Sequence, residues 1–94
     1  MHKVVYTSSV EANLRDIFSY IAEDNPFYAE EVLSRIEKSV LFLETFPLIG
    51  TDIGSGIRII VEPRYRYKIF CTIRDDIVYI TWMTKFQDPS AWNT

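Results

Sequence analysis

The side chains able to do chemistry in this chain are mostly arginine and lysine. Arg58, Arg64, Arg66 and Lys68 fall within Gly56–Phe70, where Glu62 is the only acid, so this stretch carries a local balance of +3. Residues two apart on a strand share a face, so Arg64, Arg66 and Lys68 are expected to form a row of cations roughly 6.6 Å apart. Arg58, on a neighbouring strand, extends the patch if the register allows. A row of this kind repels itself unless acids neutralise it or an anionic partner meets it. Two readings therefore stand. In one, Glu62, Asp75 and helix carboxylates neutralise the row. In the other, the row faces RNA phosphate or an acidic protein segment, and Lys68 or Lys85 handles protons in the absence of histidine.

Other chemistries lack their residues. His2 is the only histidine, and it sits at a terminus expected to fray. Cys71 is the only cysteine and falls on the predicted buried face of a strand, where a thiol is inert. No spacing of Cys and His suits a metal, and no cofactor is expected. Gly54-Ser55-Gly56 lacks the flanking strand and helix of a phosphate loop. Ser8 and Ser9 read as helix caps. A lone cysteine also fits a reducing, cytoplasmic setting, and no apolar run reaches the length of a membrane span.

The elements that must position these groups follow from periodicity. Val4–Thr7 reads as a strand. Ser8-Ser9-Val10-Glu11 reads as a capping box, opening a helix from about Ser9 to Ala22 with Val10, Leu14, Ile17, Phe18 and Ile21 on one stripe. Asn25 suits an N-cap and Pro26 the first helical position of a second helix. Its apolar face is Ala29, Val32, Leu33, Ile36, Val40 and Leu43, and it ends near Thr45 because Pro47 cannot continue it. The short gap makes the pair an antiparallel αα-hairpin. Pro47–Gly56 reads as a loop. Strands are predicted at Ile57–Glu62, Tyr65–Arg74 and Ile77–Lys85, joined by turns at Glu62-Pro63-Arg64 and Asp75-Asp76. Tyr65, Tyr67, Ile69, Cys71 and Ile73 should face the helices. The order β-α-α-β-β-β implies an α+β fold, with a helical hairpin on one face of a mostly antiparallel twisted sheet.

Ninety-four residues suffice for one domain, 1–94, and a 48% apolar, 15% aromatic composition excludes a disordered chain. The net charge of −3 divides unevenly: −4 over residues 1–47 and +1 over residues 48–94. As a total it argues weakly against nucleic-acid binding, but function follows local fields.

Several segments together resemble a known family. They are Ser9–Ile17, Tyr20–Pro26, Phe46–Gly50, Gly56-Ile57-Arg58, Tyr65–Phe70 and Lys85–Trp92, in this order and spacing. The chain resembles the RelE/ParE superfamily of bacterial type II toxins, often labelled plasmid stabilisation proteins. The resemblance implies a cytoplasmic toxin neutralised by a small cognate antitoxin. Operator DNA would be met only indirectly, through that antitoxin, and no membrane is involved. RelE-like members cleave mRNA on the ribosome. In that case Arg66 would stabilise charge at phosphorus and Lys68 or Lys85 would transfer protons. Phe86 and Trp92 stand where such enzymes carry a catalytic arginine and tyrosine. ParE-like members instead poison DNA gyrase by binding it, and this is the expected action here. Arg58, Arg64, Arg66, Lys68, Lys85 and Trp92 are then candidates for contact with target or antitoxin. A degenerate toxin kept for antitoxin binding and operon control is the remaining reading.

Overall fold

The computed structural model describes residues 2–85. The chain runs β1 (Lys3–Tyr6), α1 (Ser8–Asp24), α2 (Pro26–Thr45), β2 (Thr51–Gly54), β3 (Ile57–Val61), β4 (Tyr67–Arg74) and β5 (Ile77–Lys85). The α+β expectation holds, with one strand added inside the stretch read as a loop. The sheet order is β1-β5-β4-β3-β2; β1 pairs with β5 in parallel and every other pair is antiparallel. The strand β2 forms because Thr51 and Asp52 pair with Ile59 and Arg58.

The first helix begins one residue earlier than expected. Thr7, not a serine, is its N-cap: its hydroxyl oxygen accepts the Val10 N–H at 3.3 Å and its hydroxyl donates to the Ile80 carbonyl at 2.8 Å. A single threonine thus ends β1 against β5 and starts α1. At the hairpin, Asn25 caps α2 by accepting the Tyr28 N–H at 3.0 Å, with Pro26 in the first turn, as its sequence predicts.

Period 3.6 on α2 and period 2 on β4 then meet in one core. Val32, Ile36, Val40 and Leu43 pack with Ile69, Cys71, Val78, Ile80 and Met83, all at 3% exposure or less. Tyr67, Ile69 and Cys71 do face the helices, and Ile73 is half-buried there. Burial raises the Cys71 thiol pKa, which suits an inert packing role. His2 is held rather than frayed: its N–H donates to the Glu44 carbonyl at 2.7 Å, and its ring lies 3.9 Å from Asp76.

Tyr6 sits half-buried where β1 meets the hairpin, and its hydroxyl pKa is pushed up to about 12 by burial and by the Glu37 charge. The neutral phenol is therefore favoured by folding. The linkage is full below the unfolded pKa near 10 and is lost as pH rises through the folded value. Stability should fall between pH 10 and about 12 in the parent, and Tyr6→Phe should flatten that decline in urea titrations. An equal slope in both proteins would remove Tyr6 as its cause.

Candidate functional site

The basic stretch does not form the expected row. The strand β4 starts at Tyr67, and residues 62–66 form a closed turn instead. Glu62 makes the turn. It is 1% exposed, and its carboxylate accepts the Arg64 N–H at 3.0 Å and the Tyr65 N–H at 2.5 Å. Its own carbonyl accepts the Arg66 N–H and its N–H donates to the Tyr67 carbonyl, both at 2.9 Å. Closing this loop puts Arg66 at φ +65°, a left-handed conformation that breaks strand alternation. The acid expected to neutralise the cations is therefore folded into the backbone that carries them.

The cations consequently scatter. Arg64 is exposed; its guanidinium lies 5.5 Å from the Tyr65 ring centroid, donates to the Tyr65 hydroxyl at 3.2 Å, and stands 4.0 Å from Glu31. That hydrogen bond and the nearby anionic charge raise its pKa further. Tyr65 meets Tyr28 of α2 edge-to-face at 5.1 Å. Lys85 lies opposite Tyr67, with its Nζ 5.0 Å from that ring centroid, on the helix-covered side of the sheet. Tyr67 has its pKa raised by burial and by Tyr28. Lys68 pairs with Val61 and Thr84, on the opposite face from Lys85. Each of Arg66 and Lys68 has a partner of its own.

Arg58 is not part of the patch. It lies opposite Cys71, on the helix side, where its guanidinium donates to the carbonyls of Leu48 and Gly50, both at 3.1 Å, and stands 3.7 Å from Asp52. Its Nε is buried with no hydrogen-bond partner among the described residues. Arg58 thus staples the loop after α2 to β3. Gly50 permits this approach, since a Cβ there would sit 2.9 Å from the Ile59 carbonyl oxygen. Trp92 and Phe86 lie outside the described residues.

What the turn presents is a mixed surface of Arg64, Tyr65, Tyr28 and Glu31, with Lys85 and Tyr67 beside it. Sequence reasoning did not single out Tyr28, and it placed Tyr65 on the helix-facing side of a strand and Glu62 in a shorter turn without reading either as part of this surface. The Glu-Pro pair at 62–63 is the signal that a longer turn was present. Among the described residues, no helix is long and apolar enough to cross a membrane.

The fold defines the class of protein. A solved chain described as the chromosomal ParDE TA system from P. aeruginosa superposes with a TM-score of 0.80 at 18% identity, covering 93% of this chain and 98% of that one. At that identity the likeness is one of fold. No curated protein matches the sequence. Residues 4–81 match the family of the ParE toxin of type II toxin-antitoxin system, parDE. The chain belongs to the ParE toxin family and is a type II toxin of the RelE/ParE superfamily.

Proposed function

We propose that this toxin arrests growth by binding DNA gyrase and that a small cognate antitoxin neutralises it. The carrying observation is the separation of Lys68 and Lys85 on opposite faces of the sheet, with Arg66 exposed on a left-handed turn before the strand rather than on it. General acid–base cleavage of a phosphodiester needs such groups to converge on one phosphate. Scattered cations beside the exposed Tyr28 and the half-buried Tyr65 suit a protein interface, where arginine and tyrosine are common anchors.

The test is plasmid supercoiling by purified gyrase with the full chain added. Supercoiling should stop, and Arg64→Glu should weaken inhibition about tenfold or more, the scale of an interface arginine. Untouched supercoiling in cells whose message is being cut would overturn this reading in favour of the ribonuclease. Co-expression of the antitoxin should restore growth.

A further inference from the structure

The helix α2 ends in a run of apolar side chains that the core does not take. Phe42, Phe46, Leu48 and Ile49 are 59, 53, 65 and 60% exposed, although Leu43 among them in the chain is fully buried. The four are held together. The Phe42 and Phe46 rings stack at 6.4 Å, and the Ile49 N–H donates to the Phe46 carbonyl at 3.2 Å, which folds the loop back against the helix end. Beside them a groove of about 610 Å³ runs between α2 and β3, lined by Phe42, Ile49, Ile59, Ile60 and Val61 among others. Four large apolar side chains more than half exposed present on the order of 400 Å² to water, the size of patch that marks an interaction site.

The two ends of this patch differ in charge. At the end near Pro63, α2 brings Arg35 and Lys38 to the groove. Arg35 lies 4.0 Å from Glu31, while Lys38 has no carboxylate within ion-pair distance among the described residues. At the other end Thr51 lines the groove and Asp52 follows it, with its side chain 63% exposed and Arg58 3.7 Å away. Glu62 also lines the groove, but it is buried and committed to its own turn. A surface with an apolar middle, cations at one end and an acid at the other complements itself. Turned about a twofold axis, the apolar middles meet, and Lys38 of one copy comes to the Asp52 end of the other. We infer that this face pairs two copies of the chain in an isologous dimer, with Phe42, Phe46, Leu48 and Ile49 at its centre. Two such patches bury about 800 Å² before their rims are counted, and the rims carry the total past about 1,000 Å², the lower bound of a specific interface. An interface of that size sets a micromolar affinity. The inference goes beyond the gyrase reading and does not depend on it, and its assay contains no gyrase.

Sedimentation equilibrium of the full chain tests it. Between about 1 and about 200 µM the mass should rise from 11.0 kDa toward twice that value and stop there. Phe42→Glu and Ile49→Glu should each weaken the dimer by at least about tenfold, the scale of a central anchor. Lys38→Glu, at the rim, should cost only about threefold. Phe27→Glu, at a position 83% exposed on the hairpin, should dimerise like the parent. All four positions are exposed or at the surface of the groove, so their folds should survive, and matching circular dichroism spectra check this. A parent that stays monomeric at about 200 µM, a mass that climbs past two copies, or an equal loss in Phe27→Glu would overturn the dimer. A monomeric parent whose Phe42→Glu variant escapes the co-expressed antitoxin would overturn it too, and would give the patch to the antitoxin.

Discussion

Glu62→Ala is expected to lower the melting temperature by on the order of 15 °C, a large effect for one residue of a turn. The carboxylate is buried, and it holds the N–H groups of Arg64 and Tyr65. Truncation leaves two donors short of an acceptor. Each charge-assisted bond contributes about 1.5–3 kcal/mol, so a net loss of about 3 kcal/mol is a moderate expectation. In a domain of this size each kcal/mol moves Tm by about 4–8 °C. Glu62→Gln should lose less, because its carbonyl still accepts one N–H while its amide faces the other as a donor. Both variants should disturb the edge-to-face packing of Tyr65 on Tyr28, visible as shifted ring resonances. Thermal melts within about 3 °C of the parent, the range of an ordinary surface substitution, would show that the turn stands without its carboxylate. The consequence for function is direct. The turn carries Arg64 and Arg66, so any partner that reads them reads a geometry set by Glu62.

What was legible in the sequence was local, and what was not legible was set by pairing. Asn25-Pro26 and Pro47 bracket α2 because capping and proline chemistry act within one turn of helix. Asp75-Asp76 marks the β4–β5 hairpin, and both residues adopt positive φ, as a two-residue turn of the right twist requires. In contrast, Thr51–Gly54 is short and polar and contains a glycine, so only its pairing with β3 makes it a strand. The cationic row failed for a related reason. Alternation assumes unbroken strand, and Glu62 bonding forward to residues 64 and 65 costs the chain that continuity. Arg58 looked like a surface cation because nothing local marks a guanidinium for two carbonyls ten and eight residues earlier.

Asn13 carries the second large expectation. It sits near Val10, Leu14 and Ile17 on α1 and is 8% exposed, a poor place for an amide unless something needs it. The need arises on β5. The strand β1 is four residues long and pairs only with Ile77–Ile80 before Thr7 turns the chain into α1. Beyond Ile80, β5 has lost its parallel neighbour, and its register against β4 shifts by one residue between Phe70 and Cys71. The helix α1 covers the vacated edge, and the Asn13 side-chain oxygen accepts the Met83 N–H at 2.7 Å. One helix side chain therefore replaces a missing strand. Asn13→Leu keeps the number and branching of side-chain heavy atoms but strands a buried N–H, which costs about 2 kcal/mol and on the order of 10 °C in Tm. Amide exchange at Met83 should rise by at least about tenfold, since each 1.4 kcal/mol of lost protection is a factor of ten. Asn13→Asp retains an acceptor and should recover much of the protection. If Asn13→Leu instead matches the parent at Met83, the helix covers this edge by apolar packing alone.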